Sequence, residues 1–198
     1  STGSTGSTGA AAGLRPGARW SEDLRGTNGI GTALADRRPV AVHGGEHFLS
    51  RNGFLSCCAA PVFGPDGALR GVVDVSGDQR AWATRSLSHA LGLATLAARL
   101  LSLRLFDDLP TDAWRVQVHP DRQGLGSPGQ GLLVLRDDGR LLGTDAQARR
   151  WMASLLHAAA TPDGAALADL RQLLAGTPAD RPTPITLPDG SALWVRVQ

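Results

Sequence analysis

The chain has 198 residues, 42% of them hydrophobic, which is enough to bury one core or two small ones. Its net charge is +2, every basic residue is an arginine, and the arginines are scattered, which argues against nucleic-acid binding by this segment. No apolar run reaches the length of a bilayer span, no secretory signal is visible, and two adjacent cysteines do not make a disulfide framework. These features predict a soluble, cytoplasmic protein.

The first elements are predicted to be a linker and then a short helix. Residues 1–9 repeat Ser-Thr-Gly three times, a composition typical of a flexible linker or a sequence artefact. In residues 20–37 a polar, glycine-rich turn leads into a helix that Thr27 or Asn28 can cap. Pro39 ends this helix, because the residue before a proline is disfavoured in helical geometry.

A short strand and a β-hairpin follow. The strand is predicted at residues 39–43, and two apolar strands at residues 54–62 and 68–76 flank a Gly-Pro-Asp-Gly turn. Side chains alternate between the two faces of a strand, so Cys57 and Cys58 point apart and a disulfide between them would require backbone strain.

A heptad pattern predicts a long helix over residues 84–108 with two apolar stripes. The first stripe consists of Leu87, Leu91, Ala94, Ala98, Leu101 and Leu105, and the second of Ala90, Leu93, Ala97 and Leu100. One stripe can cover the sheet while the other pairs with a second chain; alternatively, both are buried in one monomer core. We favour the dimer, because the pattern continues past the sheet-forming segment.

The remaining residues are predicted to form a second, smaller domain after Leu109 and Pro110, which end the long helix. Its α+β pattern has hairpins at both ends and helices between them. The predicted elements are a strand at residues 114–118, hairpins at residues 131–143 and 185–197, and helices at residues 145–156 and about 164–174.

Four blocks of the first region together resemble a known family. They are WSE with GTNGIGTAL, then PVAVHGGEHF, then LSCCAAPV, and finally GVVDVSGD, within residues 20–78. They resemble the GAF sensor domain of acetoin-catabolism-type bacterial activators that work with the sigma-54 form of RNA polymerase. Over a shorter stretch, GLLVLRDDGRLLG at residues 131–143 is similar to the PAS domain that often follows in such regulators.

The resemblance implies an α+β fold: a GAF-like antiparallel sheet with flanking helices at residues 10–108, a long connecting helix, and a small PAS-like domain at residues 112–198. It implies a cytoplasmic receiver of a small effector, such as a ketone, diol, alcohol or aromatic compound. In the family this receiver controls AAA+ and DNA-binding domains. We expect neither in this chain, which has no GxxxxGK motif and no lysine to supply one.

Eleven residues in these blocks are candidates for contacting the effector, because a few polar groups among apolar walls can orient a small molecule. They are Trp20, Glu22, Thr27, Asn28, Thr32, His43, Glu46, His47, Phe48, Cys57 and Asp74. For several of them a structural role is the alternative: packing and capping in the first block, satisfying turn backbone for the histidines, and fixing a turn for the aspartate. We predict no catalytic residue, metal or cofactor.

Two short motifs also admit other chemistry. His43 and His47 have the HxxEH spacing of some zinc peptidases, but two glycines between them disfavour the helix that would bring both imidazoles to one face. The glycines at positions 26, 29 and 31 resemble a dinucleotide-binding loop only superficially, because no strand precedes them. For each of these glycines, close packing at the start of the helix is the alternative.

The two cysteines raise a second functional class, a thiol-based redox sensor or a GAF-type methionine sulfoxide reductase. Such chemistry needs an accessible thiol with a lowered pKa, whereas cysteines in strands are commonly buried and inert. A third class is a module that docks a protein instead of a small molecule. We therefore predict a non-catalytic, effector-binding and dimeric sensor, with the redox and docking functions as alternatives.

Overall fold

The computed structural model describes residues 13–80, 82, 84–159, 172, 174 and 176–198. The chain divides into two compact units, Ser1–Val62 with Leu69–Leu101, and Phe63–Ala68 with Ser102–Gln198. The predicted linker at residues 1–9 lies outside the described residues, as does the helix predicted at about 164–174 except for residues 172 and 174.

The first unit is a three-stranded sheet with helices. Its elements are α1 (Glu22–Arg25), α2 (Gly29–Asp36), β1 (Val40–His43), 3-10 turns at Gly44–Glu46 and Ser50–Asn52, β2 (Leu55–Phe63), β3 (Leu69–Asp78) and α3 (Thr84–Arg104). The strand order is β1-β2-β3, and β1 runs antiparallel to β2. The predicted strand and hairpin are therefore present.

Strand β2 is the centre of this sheet. It is buried from Leu55 to Val62, because it has a strand on either side and α2 packs on both of those neighbours, β1 and β3. A strand covered on both faces is expected to be a continuous apolar run, which is how the LSCCAAPV block is composed. Cys57 and Cys58 are both buried, and neither forms a disulfide.

Helix α3 shows which apolar stripe is buried. Its buried positions are Ala94, Ala98 and Ser102, and Phe106 in the following 3-10 turn (Leu105–Asp108) continues the series. Leu101 was predicted to share a stripe with Ala94 and Ala98, but its side chain is 50% exposed. A straight α-helix has 3.6 residues per turn, so its inner face drifts from a strict seven-residue repeat and Ser102 takes the inner position.

The opposite face of α3 is apolar and exposed. Leu93, Leu96 and Leu100 all lie on it, spaced by three and then four residues. The segment Ser86–Asp108, with 23 residues and a mean hydropathy of 1.3, is by length and composition apolar enough to cross a membrane. The expectation that no apolar run is long enough for a bilayer span is therefore wrong by this criterion. One such helix is weak evidence for a membrane span, because core helices of soluble proteins and signal sequences meet the same criterion.

The second unit has a five-stranded antiparallel sheet. Its elements are β4 (Trp114–His119), a 3-10 turn at Arg122–Gly124, β5 (Gly131–Leu135), β6 (Leu141–Thr144), α4 (Ala146–Trp151), α5 (Ala153–Ala159), β7 (Thr183–Thr186) and β8 (Ala192–Val197). The strand order is β6-β5-β4-β8-β7. Aliphatic side chains from the sheet and helices, among them Val116, Leu133 and Val195, form its core. Both predicted hairpins are present, and the α+β prediction is confirmed.

One predicted helix is broken in two. The pattern predicted a single helix over residues 145–156, but Met152 leaves helical geometry, with φ −105° and ψ 23°, between α4 and α5. Ala148, Met152 and Leu155 are all buried in the same core. Their spacing of four and three residues continues through the break, so the apolar pattern carries no sign of it.

Candidate functional site

The start of α2 is fixed by Asn28, which is almost fully buried. Its Oδ1 accepts a hydrogen bond from the Gly31 amide at 2.8 Å, and its Nδ2 donates to the Gly26 carbonyl at 2.8 Å. This is the geometry of a helix N-cap, which satisfies one of the amides that a helix leaves without an internal partner. Of the two predicted N-cap residues, Asn28 caps α2, while Thr27 is exposed.

A second contact joins α1 to α2. The Thr32 hydroxyl donates to Oε1 of Glu22 at 2.7 Å and accepts a longer hydrogen bond, of 3.3 Å, from the Asn28 amide. The carbonyl of Thr27 accepts from the amide of Phe48 at 3.1 Å. The side chains of Glu22, Asn28 and Thr32 therefore form hydrogen bonds with other groups of the chain.

The two glycines of the GIG sequence are explained by close packing. A Cβ at Gly29 would lie 2.6 Å from Cβ of Cys57 and 3.2 Å from Oδ1 of Asp74. A Cβ at Gly31 would lie 2.6 Å from the Trp20 carbonyl oxygen. Neither position has room for a side chain: Gly29 lets α2 approach the sheet, and Gly31 lets it approach the backbone at Trp20 and Glu22. This favours the packing explanation over a dinucleotide-binding loop.

The HxxEH motif spans a strand end and a 3-10 turn. Nδ1 of His43 lies 2.7 Å from Oγ of Ser56, and the His43 amide donates to Oε2 of the exposed Glu46 at 2.7 Å. His47 is 4% exposed, and its Nδ1 bonds the Gly44 carbonyl at 2.9 Å. The two imidazoles therefore have separate partners, and the described residues contain no group of three side chains placed to hold a metal ion.

A polar cluster lies on the face of β3 that meets Gly29. Ser76 Oγ is within hydrogen-bond distance of both Oδ2 of Asp74 and Sγ of Cys57, the second contact measuring 3.1 Å. A hydroxyl has one hydrogen to donate, and the carboxylate is the stronger acceptor. Ser76 therefore holds one carboxylate oxygen and leaves the other, Oδ1, facing Gly29.

Burial decides the protonation of this cluster. It raises the pKa of Asp74, against the lowering effects of the Ser76 hydrogen bond and of the charge on His47. It also raises the pKa of Cys57 to about 12, and the nearby Asp74 carboxylate adds to that effect. The pKa of Cys58 is raised by burial and then by Asp74. At neutral pH both thiols are protonated, which leaves the redox alternative without a thiolate nucleophile.

Three buried polar atoms of this region have no hydrogen-bond partner in the described part of the chain. They are Nε1 of Trp20, Nε2 of His47 and Oδ1 of Asp74. Trp20 packs in one cluster with Cys57, and the Asp74 carboxyl lies near enough to Cys57 and to His47 to interact electrostatically with both. The fold thus brings four of the predicted residues into one neighbourhood around Gly29, which we call the buried polar site: Trp20, His47, Cys57 and Asp74.

Other predicted residues have different positions. The Phe48 ring is 74% exposed, and Glu46 is also exposed. A cavity of about 520 Å³ lies near Trp20, but it is lined by residues 13 and 15–18 and by Arg25, none of which was predicted. The prediction also missed Ser76. Its signal was available, because residues two apart on a strand share a face, and Asp74 and Ser76 are two apart.

The opposite face of β2 points towards α3. The Cys58 thiol donates to the carbonyl of Leu87 at 3.4 Å, in the first turn of that helix. The neighbouring residue, Cys57, belongs to the buried polar site. The predicted divergence of the two thiols is therefore present, and β2 is in contact with both the site and the long helix.

Comparison with known proteins gives a family and named relatives. A GAF domain model matches residues 4–105. The acetoin dehydrogenase operon transcriptional activator AcoR of Bacillus subtilis is 44% identical over 82 residues, which are 41% of this chain and 13% of the relative. The acetoin catabolism regulatory protein of Cupriavidus necator is 32% identical over 138 residues, 70% of this chain and 21% of the relative. The resemblance to acetoin-type activators is confirmed.

The alignment with the Cupriavidus necator protein is longer than the span matched by the GAF model, so the similarity extends beyond that domain. The chain spans about a fifth or less of the length of these two relatives. The crystal structure of the E. coli DhaR(N)-DhaL complex superposes on 98% of this chain and 72% of its own, at 17% identity and a TM-score of 0.43.

Proposed function

We propose, since the chain belongs to the family of GAF domains, that it is the sensory region of a bacterial transcriptional activator and binds a small metabolite at the buried polar site. The proposed sensor domain covers residues 10–108, and a PAS-like domain follows at residues 112–198. Two relatives are named as regulators of acetoin genes, which supports a regulatory role. The effector class is a ketone, diol, alcohol or aromatic compound, and no catalysis is proposed.

One observation carries the binding proposal: Nε2 of His47 and Oδ1 of Asp74 are buried without partners. Buried polar atoms in folded proteins are nearly always hydrogen-bonded, and an unsatisfied one costs about 1–3 kcal/mol. A folded protein tolerates that cost where a bound molecule supplies the missing hydrogen bonds. A small molecule that bridges the two atoms would do so, and its binding would be coupled to the position of α2 through Gly29.

The binding proposal is tested by titrating the folded chain with small ketones, diols and phenols. The readout is the indole N–H resonance of Trp20 in a proton–nitrogen spectrum, assigned by its loss in Trp20→Phe. We expect at least one class to shift this resonance in a saturable way. A folded chain that responds to no member of the panel would contradict the proposal.

The second part of the proposal is that α3 pairs with the same helix of another copy and carries the signal. Ala94 and Ala98 occupy its buried face, whereas Leu93, Leu96 and Leu100 form an exposed stripe with the spacing of a coiled-coil seam. An exposed apolar stripe of this kind is costly in a monomer and is covered in a dimer. Effector binding would then bias a two-state arrangement of the paired helices.

The dimer is tested by light scattering on the variant Leu96→Glu, Leu100→Glu. We expect a dimeric parent chain and a monomeric variant, because charges would be buried in the seam. Leu24→Glu is the matched control, since Leu24 is an exposed leucine outside α3. A monomeric parent chain, or one that floats with lipid vesicles through α3, would contradict pairing.

A second candidate function, docking of a protein partner, is favoured by a different observation. Among the described residues outside α3, the large apolar side chains that are most exposed are Phe48 and Leu24, at 74% and 52%. A docking surface needs exposed apolar side chains that a partner can bury. The variant Phe48→Ser separates the two functions: it should abolish capture of a docking partner and leave small-molecule titrations unchanged. Loss of the titration response instead would place Phe48 in the effector site.

A further inference from the structure

We propose that the turn joining β2 and β3 couples the buried polar site to the second unit, as a connection separate from the pairing of α3. The segment Phe63–Ala68, which contains this turn, closes the hairpin of the first unit and is itself part of the second unit. A displacement of the turn would therefore shift β2, the strand that carries Cys57. This coupling is a property of the folded chain and needs no effector, so it goes beyond the proposed function.

The path of the chain connects the two units more than once. The chain leaves the first unit after Val62, returns to it at Leu69 and leaves it again after Leu101. Domains that are joined by one exposed linker are expected to move relative to each other. In this chain two of the connections are made by the hairpin strands themselves, so a movement of the second unit is expected to act on β2 and β3.

A backbone hydrogen bond holds the turn on β6. The amide of Thr144 donates to the carbonyl of Pro65 at 2.9 Å, and Thr144 is buried. A buried amide that loses its acceptor is destabilising, because water cannot readily replace the lost bond. Since β6 is the outermost strand of the five-stranded sheet, this bond attaches the turn to the edge of that sheet.

Close packing holds the same turn in place. A Cβ at Gly143, in β6, would lie 2.6 Å from Cβ of Pro65 and 3.1 Å from Cδ1 of Leu109. Further along the turn, a Cβ at Gly67 would lie 3.0 Å from Nη1 of Arg149, in α4. The turn is thus packed against neighbours from β6 and α4, and it has little room to move unless they move with it.

Strand β2 leads from the turn to the buried polar site. At the end nearest the turn, the amide of Phe63 donates to Oγ of Ser102 at 3.0 Å, and Ser102 is itself buried. Towards the other end, Cys57 is in close contact with α2, because a Cβ at Gly29 would lie 2.6 Å from its own Cβ. The strand is buried from Leu55 to Val62. Close-packed interiors transmit strain, so a shift at one end of β2 is expected to reach the other.

The test measures the accessibility of the Cys57 thiol in the 198-residue chain while the second unit is altered. Labelling of Cys57 by iodoacetamide, followed by mass spectrometry, reports how often β2 opens. Gly143→Ala pushes the turn away from β6, so labelling should accelerate by at least about fivefold, the factor for one lost hydrogen bond. Ile185→Val is the control. It removes a methyl group from the core of the second unit in β7, at the opposite edge of the sheet, and should leave the rate unchanged.

Two results would overturn the coupling: an unchanged labelling rate in folded Gly143→Ala, or an equal acceleration by Ile185→Val. The second would mean that any loss of stability in the second unit opens β2. If Gly143→Ala does not fold, a milder pair on α4 decides. Arg149→Met removes the guanidinium beside the turn, and Arg150→Met changes its exposed neighbour on the same helix. Labelling should be at least about twofold faster in Arg149→Met than in Arg150→Met. Equal rates would contradict the coupling.

The reverse measurement starts from the first unit, because a coupling free energy is reciprocal. Gly29→Ala displaces β2, so hydrogen exchange of the Thr144 amide, which bonds Pro65, should accelerate by about fivefold. The Leu132 amide, which donates to Oδ2 of Asp145 in the same unit, is the internal control and should exchange at its parent rate. Equal acceleration of both amides, or none at Thr144 in the folded variant, would contradict transmission through the turn. Neither result bears on effector binding, since no effector is added.

Discussion

Two aspartates, the buried Asp145 and the partly buried Asp74, lie in different units and differ in how their oxygens are used. Asp145 accepts from the Ala148 amide with Oδ1, at 2.7 Å, and from the Leu132 amide with Oδ2, at 2.9 Å. Asp74 has one oxygen bonded by Ser76 and one without a partner in the described chain. The first carboxylate holds a helix start and a strand together. The second is left incomplete beside a helix start, as expected of a group that receives a ligand.

The largest predicted effect on folding stability comes from the cysteines in the interior of the first unit. Burial raises the pKa of Cys57 from 9.0 to about 12. Below pH 9 the thiol is protonated in the folded and the unfolded chain. As pH rises from 9 towards 12, the unfolded thiol loses its proton while the folded thiol keeps it, so folding stability is lost. The loss should reach about 3 kcal/mol by pH 11.

The chain has no tyrosine and no lysine to titrate between pH 9 and pH 12, so the two cysteines are the side chains expected to produce this loss. Urea unfolding at pH 8 to 11 gives the free energy of unfolding at each pH. The variant Cys57→Ala should show a much smaller decline, with the remainder due to Cys58. An equally steep decline in the variant would show that Cys57 is not protected by burial.

The paired substitutions Asp145→Asn and Asp74→Asn test the comparison of the two carboxylates directly. The asparagine at position 145 has one acceptor oxygen for two amide donors, so its NH₂ group would face a buried N–H, at a cost of about 2–3 kcal/mol. Position 74 should lose nothing at neutral pH and gain up to about 1 kcal/mol, because the buried charge disappears. That gain should vanish at acidic pH, where Asp74 is protonated.

Thermal or urea unfolding of both variants gives the two free-energy changes. Similar destabilisation at the two positions would mean that Asp74 has a structural role like that of Asp145. Titration with the small ketones, diols and phenols adds a further control, since Asp145→Asn should leave ligand affinity unchanged in the folded fraction.

The smallest predicted effect concerns glycine at the start of α2. Gly29→Ala places a Cβ 2.6 Å from Cβ of Cys57 and should destabilise the chain by about 1–2 kcal/mol, because the helix must shift. Gly92→Ala is the matched control. Gly92 lies within α3 with no neighbour in reach of a Cβ, so alanine should stabilise by up to about 1 kcal/mol through helix propensity. Destabilisation by both, or by neither, would contradict the packing role of Gly29.

The hairpins were predicted correctly because their signals are local. A Gly-Pro-Asp-Gly or Asp-Gly turn between alternating or apolar segments determines strand, turn and register within a few residues. The capping of α2 by Asn28 and the opposite orientations of Cys57 and Cys58 are local in the same sense. The break at Met152 and the exposure of Leu101 were not predictable, because each depends on which face meets the core.

The amino-acid sequence by itself determined the elements, the α+β class and the family, through turn residues, periodicity and four short blocks. Only the tertiary structure decided which polar side chains of those blocks are satisfied. Asn28, Glu22 and Thr32 bond within the chain, whereas His47 and Asp74 each keep an atom without a partner. The physical reason is that hydrogen-bond satisfaction depends on groups brought together from different elements, and a sequence records which groups exist but not which of them meet.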